Sequence, residues 1–313
     1  MRIAIIGPGA MGSLFAALLS PKGGNEVVLL DKDPRRGRLL ARRGIKVEGA
    51  SGEFTARVNV VAAGFSLRPL PDLTIVLVKA CHTASAAKQW RGVLKTSPTV
   101  LTLQNGIGNL EILQKVAGDA VIAGTTAQGA TLLSPGRVRH AGAGVTILGE
   151  PSGRITPRLR HMAATFRNAG IQVRLTRDLQ RALWEKLIIN CAVNALGAIT
   201  RLPNGALVEY DGARLVLRAA AREAAAVARA VGVRVGKADP APKVEKGCRA
   251  TASNLNSMLQ DVLRRRRTEI EAINGAVVRA GESLGIPTPV NELLTELIRA
   301  IEASYARQVG LAR

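Results

Sequence analysis

The sequence predicts an α/β protein with two parts: an N-terminal, Rossmann-type, doubly wound parallel sheet and a C-terminal all-α domain. Strand and helix patterns alternate over the first half of the 313 residues, which is typical of a parallel sheet covered by helices. A glycine-rich turn joins the first strand to the first helix. Strand patterns end before Asp178, so we expect one domain over residues 1–176 and another over 177–313.

The elements of the first half follow from hydrophobic periodicity. Strands are predicted at 3–6, 27–30, 73–78, 100–103 and 120–123, with helices at 10–19, 84–94 and 107–116. The run at 73–78, apolar except for Thr74, is typical of a strand buried on both faces of a sheet. A β-rich segment at 136–149, a helix at 155–168 and a strand at 172–175 complete this half.

The second half is predicted to contain helices alone. Asp178 is expected to cap the first of them. Breaks at 203–205, 240–242 and 285–287 divide the rest. Four consecutive arginines at 264–267 are expected to lie within a helix, on a solvated face.

Composition excludes several classes of protein. The 47% of hydrophobic residues and 21% of charged residues indicate a globular chain rather than a disordered one. The net charge of +21 attracts anionic ligands, and we expect only weak, non-specific contact with nucleic acid. The three cysteines and three histidines are too scattered to predict a disulfide framework or a metal site.

We also expect a cytoplasmic protein that does not enter a membrane. The first strand is too short, and stops too soon at glycines, to be a signal peptide. The most apolar segment, at 187–199, is too short to span a bilayer and contains Asn190 and Asn194. The helical half is compatible with either a monomer or a homodimer.

The glycine-rich turn is a dinucleotide-binding fingerprint. Its residues are Gly7, Pro8, Gly9, Ala10, Met11 and Gly12, a GxGxxG motif between a strand and a helix. The first glycine permits the tight turn, the second admits the pyrophosphate, and the third lets helix and strand pack closely. Free N–H groups at the start of the helix then bind the phosphates. Residues 1–176 are therefore predicted to bind a dinucleotide, and residues 177–313 its substrate.

Asp31 ends the next strand and leaves the choice between NADH and NADPH open. A carboxylate at this point normally accepts hydrogen bonds from the ribose 2′-hydroxyl, which favours NADH. Lys32, Arg35 and Arg36 follow directly, and they could bind a 2′-phosphate if Asp31 turned away.

Lys79 and Asn105 follow the strands predicted at 73–78 and 100–103. Ligands of doubly wound folds bind beyond the carboxyl ends of the strands, so both side chains are expected to face the cofactor. A lysine that ends a buried strand is unusual enough to favour a functional role.

Lys186, Asn190 and Asn194 are spaced four residues apart on the first helix of the second half, so they form one stripe of that helix. Hydrogen bonds between helices are one interpretation of these polar groups among apolar neighbours. The other is a surface that faces the substrate, where a partly buried lysine with a lowered pKa acts as a general acid.

A weaker polar cluster contains Asn254 and Ser257, followed by Glu269 on a stretch predicted to be helical. Helix capping is the more usual explanation of such Ser and Asn runs.

Taken together, these segments resemble the ketopantoate reductase family over almost the whole chain. The most specific match is the Trp-x-Lys-Leu-x-x-Asn helix at 184–190. Other matches are the Pro-Asn-Gly turn at 203–205, the Ser-Met-Leu-Gln-Asp segment at 257–261 and the segment at 268–275. The resemblance implies reduction of a small 2-oxo acid, ketopantoate, to pantoate, a pantothenate precursor, with NADPH preferred. Asp31, where the family often has an arginine, keeps NADH possible.

The resemblance also implies roles for individual residues. Lys186 would be the proton donor. The implied substrate-binding residues are Asn105, Lys186, Asn190, Asn194, Asn204, Asn254 and Ser257. Beside the glycine motif, Asp31 and Lys32, the implied cofactor-binding residues are Lys79, Asn105, Ala130 and Glu269.

Two alternatives remain. A 3-hydroxy acid dehydrogenase of the 6-phosphogluconate dehydrogenase type shares the two-domain plan and a Lys-x-x-x-Asn helix, but its Gly-Gly-rich substrate segment is not found here. A cofactor-binding sensor or nucleic-acid-binding protein would explain the charge but has no need of a proton donor at Lys186.

Overall fold

The chain forms two compact units in the computed structural model, which describes residues 1–20, 24–62 and 67–309. The first unit comprises Met1–Gln104 and Asn109–Ala182. The second comprises Asn105–Gly108 and the chain from Leu183 onward. Residues 105–108 thus belong to the second unit although they lie within the sequence of the first. The domain boundary after residue 176 remains a prediction.

Two sheets build the first unit. The larger sheet consists of β1 (Arg2–Ile6), β2 (Glu26–Asp31), β5 (Asn59–Ala62), β6 (Leu73–Val76), β7 (Val100–Thr102), β8 (Val121–Thr126), β11 (Thr146–Gly149) and β12 (Val173–Thr176). The smaller sheet consists of β3 (Ile45–Gly49), β4 (Phe54–Ala56), β9 (Gly129–Ser134) and β10 (Arg137–Gly142).

The order of the larger sheet is β12-β11-β8-β7-β6-β1-β2-β5. Strands β5, β2, β1, β6, β7 and β8 are parallel, and β11 pairs antiparallel with β8. Counted among themselves, the six parallel strands follow the 3-2-1-4-5-6 order of the doubly wound fold. The chain changes direction across the sheet between β1 and β6, and ligands of such folds bind outside the carboxyl ends at that point. The predicted fold class is confirmed.

The helices of the first unit are α1 (Ala10–Leu19), α2 (Pro34–Arg43), α3 (Thr83–Gln89), α4 (Arg91–Thr96), α5 (Asn109–Ala117) and α6 (Pro157–Asn168). Helix α1 packs on β1 and β2 and also contacts the smaller sheet. Phe15 of α1 meets Phe166 of α6 with ring centroids 5.7 Å apart, and both side chains are fully buried. This core fixes α1, and with it the glycine turn at its N-terminus.

Among its described residues, the second unit contains helices and the loops that join them, with no strand. Its helices are α7 (Leu179–Thr200), α8 (Asp211–Ala230), α9 (Ala241–Ala250), α10 (Ser257–Leu263), α11 (Asn274–Leu284) and α12 (Pro289–Ser304). Asp178 accepts a hydrogen bond from the backbone of Arg181, as predicted for a helix cap. The apolar side chains of α7 join a core with those of α8, α11 and α12.

Helix α7 is longer than the apolar segment that the sequence indicated. With 22 residues, the helix is long and apolar enough to cross a membrane, judged by length and composition alone. In the structure, 61% of its most apolar stretch is buried inside the protein, and core helices of soluble proteins meet the same criterion. The helix is weak evidence for a membrane span.

Three predictions about elements are wrong. The predicted helix at 84–94 is two helices, α3 and α4, which meet at Trp90. The arginines at 264–267 follow α10 instead of lying in a helix, because the Asp261 carbonyl accepts the N–H groups of Arg264 and Arg266 and ends it. Glu269 precedes a short 3-10 turn, Ile270–Ala272, rather than lying on a helix.

Candidate active site

The glycine turn has the geometry that a dinucleotide pyrophosphate requires. Gly7 has φ +105°, and a Cβ there would lie 2.8 Å from the Val78 nitrogen. A Cβ on Gly12 would lie 1.9 Å from the Gly7 carbonyl oxygen, so only glycine permits this close approach. A Cβ on Gly9 would meet no atom within 4 Å, which leaves space for a ligand.

The N-terminus of α1 adds an electrostatic reason for a phosphate to bind here. Gly9 provides no capping side chain, and the first turn contains no acidic residue. Its backbone N–H groups and the positive end of the helix dipole therefore favour an anion. These residues fit the pyrophosphate of a nicotinamide dinucleotide, whose bound form supplies the hydride in a reduction.

Asp31 lies next to this turn and is completely buried. The Gly7 N–H donates to the Leu30 carbonyl over 3.2 Å, which sets the end of β2 beside the glycine turn. Nε and Nη2 of Arg36 donate to the two carboxylate oxygens of Asp31 over 2.7 and 2.6 Å. The backbone N–H of Asp33 adds a third hydrogen bond of 2.9 Å. Asp31 has therefore not turned away; its charge is paired inside the protein.

Lys79 lies three residues after the end of β6 and is half-buried. Gln104 anchors the preceding residue, because its Nε2 donates to the Val78 carbonyl over 2.7 Å. The same Nε2 donates to Thr83 Oγ1, also over 2.7 Å. This buried network, which the sequence did not single out, ties the ends of β6 and β7 together and positions the loop that carries Lys79.

Lys186, Glu269 and Asn105 form an electrostatic group in the second unit. Burial lowers the pKa of the Lys186 ammonium to about 8, and the negative charge of Glu269 opposes that shift. Asn105 Nδ2 donates to Glu269 Oε2 over 3.0 Å. The sequence predicted that Asn105 lies at the edge of the sheet. In the structure, residues 105–108 group with the helical unit, and the Ile107 N–H donates to the Ala272 carbonyl over 3.0 Å.

Asn190 and Asn194 continue the Lys186 stripe along α7, as predicted. Among the described residues, the buried Nδ2 of Asn190 has no hydrogen-bond acceptor. A buried donor without a partner is costly, and a bound ligand oxygen would satisfy it. Asn194 is 6% exposed. The interpretation of this stripe as helix–helix hydrogen bonding therefore does not account for Asn190.

The structure brings Asn204 and Asn254 together. The Asn204 N–H donates to the Asn254 carbonyl over 3.0 Å, and Asn204 Nδ2 donates to Thr251 Oγ1 over 3.0 Å. Oδ1 of Asn204 is buried with no donor among the described residues. Ser257 is exposed at the start of α10, and Asn256 before it caps that helix through a 2.9 Å bond from the Leu259 N–H.

Two asparagines that the sequence did not assign to the site hold α7 in place. Asn256 Nδ2 lies 3.4 Å from the Val193 carbonyl oxygen and packs against Gly197. Asn274 Nδ2 donates to the Cys191 carbonyl over 2.9 Å. Both contacts fix the backbone near Asn190. The only sequence signal was the position of each asparagine beside a helix start.

The predicted residues thus fall into two groups. The glycine turn, Asp31, Lys32, Lys79 and Ala130 belong to the first unit, with Ala130 on β9 opposite His140. The remaining candidates, Asn105 included, belong to the second unit. The chemistry of the first group fits a dinucleotide, and the second group contains an ammonium with a lowered pKa and several side-chain amides, which suit a small polar ligand.

The protein combines a doubly wound sheet that carries this glycine turn with a helical unit that carries a lysine of lowered pKa. This combination defines the class of two-part nicotinamide-dependent oxidoreductases. Comparison with known proteins narrows this class. The family model for ketopantoate reductase PanE/ApbA matches residues 3–153, and the model for its C-terminal domain matches residues 178–302. The chain belongs to the ketopantoate reductase family, as the sequence motifs predicted.

Individual relatives cover nearly the full length of the chain. A 2-dehydropantoate 2-reductase of Halobacterium salinarum is 38% identical over 300 residues, covering 96% of this chain and 98% of that protein. The structure of a PanE/ApbA family ketopantoate reductase from Ralstonia eutropha is 35% identical, covers 98% of this chain and 100% of that one, and has a TM-score of 0.87. A D-mandelate dehydrogenase with NADH and anilino(oxo)acetate is 28% identical, has the same coverage and has a TM-score of 0.90.

Proposed function

We propose that this protein is a 2-dehydropantoate 2-reductase, a cytoplasmic enzyme that reduces ketopantoate to pantoate with NADPH. The observation that carries the proposal is the stripe on α7, where Lys186, with a pKa of about 8, lies one turn from the unpartnered buried amide of Asn190. The sequence relatives named 2-dehydropantoate 2-reductase support the same substrate.

Lys186 supplies the proton in this mechanism. Reduction of a ketone places negative charge on its oxygen, and a nearby ammonium group stabilises that charge and then donates a proton to it. A pKa of about 8 leaves most of the lysine protonated at neutral pH and makes the proton easier to release than that of an ordinary lysine.

Glu269 and the amide side chains complete the group. The carboxylate of Glu269 favours the protonated form of Lys186, and Asn105 orients that carboxylate. Asn190 Nδ2 donates to a substrate oxygen, and Asn194, Asn204, Asn254 and Ser257 provide further polar contacts. Lys79 and Ala130 serve the cofactor, which the glycine turn binds.

Product analysis tests the proposal. Purified protein is incubated with ketopantoate and NADPH, and the products are identified by mass spectrometry and chiral chromatography. We expect stoichiometric formation of pantoate as a single enantiomer. Protein that bound NADPH but formed no pantoate would refute the proposed substrate.

The D-mandelate dehydrogenase neighbour favours a second candidate, a reductase of an aromatic 2-oxo acid. Oxidation of mandelate gives benzoylformate, so benzoylformate is the substrate to compare with ketopantoate. A 3-hydroxy acid oxidised with NADP⁺ would indicate the remaining alternative.

A further inference from the structure

Asp31 stands where a doubly wound fold normally binds the ribose 2′-hydroxyl, but the structure does not leave its carboxylate available. The side chain is 0% exposed, and both oxygens accept hydrogen bonds from Arg36. A ribose hydroxyl cannot reach a carboxylate that has no accessible surface and is covered by a bidentate guanidinium.

Arg36 is the exposed member of the pair. One third of its side chain is accessible, and its Nε and Nη2 face Asp31. Nη1 of Arg36 takes no part in the pair with Asp31, so this edge of the guanidinium can donate to a ligand. Arginine binds phosphate in this way, with a planar group held in a fixed direction.

The residues next to Arg36 add to the positive charge at this surface. Asp33 uses its carboxylate to cap α2, accepting from the backbone N–H groups of Arg35 and Arg36 over 2.9 and 3.2 Å. Lys32 and the Arg35 side chain are exposed beside it. The two carboxylates are thus occupied by the protein's own donors, while the cations face outward.

We propose that the Asp31–Arg36 ion pair acts as one element that recognises a 2′-phosphate: Asp31 fixes the guanidinium beside the glycine turn, and the free edge of Arg36 binds the phosphate of NADPH. The proposal rests on the proposed function only in requiring a nicotinamide dinucleotide at the glycine turn. In this proposal Asp31, a residue type that usually binds the ribose of NADH, instead holds the arginine that binds NADPH.

The test uses two adenosine bisphosphates of equal charge, 2′,5′-ADP and 3′,5′-ADP, titrated by calorimetry without a 2-oxo acid. Wild-type protein is expected to bind the 2′ isomer about tenfold or more tightly, as for one charge-assisted hydrogen bond. Arg36→Gln is expected to remove that preference. Arg38→Gln, on the same helix and equally charged, is expected to retain it within about threefold.

Arg36→Lys serves as a second variant in case the glutamine leaves Asp31 buried without a partner and the protein fails to fold. A lysine ammonium lacks the planar, forked geometry with which a guanidinium can bind Asp31 and a phosphate at the same time. We therefore expect this variant to lose part of the preference for 2′,5′-ADP. Equal affinity of the wild type for both isomers, or an unchanged preference in the folded Arg36 variants, would overturn the proposal. A protein with the expected preference that failed to reduce ketopantoate would refute the substrate alone.

Discussion

Asn105 donates a hydrogen bond to the carboxylate of Glu269 over 3.0 Å, although 164 positions separate the two residues in the sequence. The negative charge of Glu269 acts in turn on Lys186 and raises its pKa against the effect of burial. A short loop after β7 and a turn before α11 thereby set the protonation of a lysine on α7.

Replacing Lys186 by alanine should lower kcat for ketopantoate by about 10²–10⁴-fold, the usual contribution of general acid catalysis. Lys243→Ala is the matched control, because Lys243 is an exposed lysine of α9 that pairs with Glu185, the residue before Lys186 on α7. That variant should retain kcat. The measurement is the initial rate of ketopantoate reduction by both variants, with folding checked by circular dichroism. Near-normal turnover by Lys186→Ala would show that Lys186 is not the proton donor.

The pH dependence of reduction should follow the Lys186 ammonium. The protonated form is the acid, so activity should be present below pH 8 and fall as pH rises through about 8. An ordinary lysine would delay this fall to about pH 10. The measurement is kcat/KM from pH 6 to 10; a profile that stays flat to pH 9.5 would contradict the lowered pKa.

Glu269→Gln should move the alkaline limb of that profile to lower pH. The carboxylate favours the charged lysine, so its neutralisation leaves desolvation unopposed. Glu271→Gln removes the same charge two residues away, where the carboxylate pairs with Arg279 and Arg299, and should leave the limb in place. A limb that moved equally in both variants would show a general charge effect instead.

Gly9→Ala and Gly12→Ala should separate binding from folding. The alanine at position 9 meets no protein atom, so stability should change by no more than about 0.5 kcal/mol while the Kd for NADPH rises about tenfold or more. At position 12 the Cβ collides with the Gly7 carbonyl, which should cost about 3 kcal/mol or more. Thermal unfolding and NADPH fluorescence titration measure the two effects, and tight NADPH binding by Gly9→Ala would argue against a pyrophosphate there.

Local signals in the sequence were enough to predict the first βα unit, the cap at Asp178 and the Lys186 stripe, because each depends on spacing within one element. The segment from α2 to β5 was not predicted, since α2 is rich in arginine and β3 and β4 find their partners in a separate sheet. The end of α10 depends on the Asp261 carbonyl and a positive φ at Arg265, which four helix-forming arginines do not indicate.

The site shows the same limit. Its residue types could be read from motifs, but the pairing of Asp31 with Arg36 and of Asn105 with Glu269 could not. The first depends on how the start of α2 lies over the end of β2. The second depends on a long-range contact, which periodicity does not encode.

In the proposed mechanism, the polar stripe of α7 serves the reduction of ketopantoate. Its most direct test is kcat/KM for ketopantoate and for benzoylformate, measured with NADPH on one preparation of wild-type protein. We predict that ketopantoate is favoured by about 10²-fold or more, since a site of fixed amides discriminates strongly between side chains. A preference for benzoylformate would contradict the claim and assign the protein the substrate class of its D-mandelate dehydrogenase neighbour.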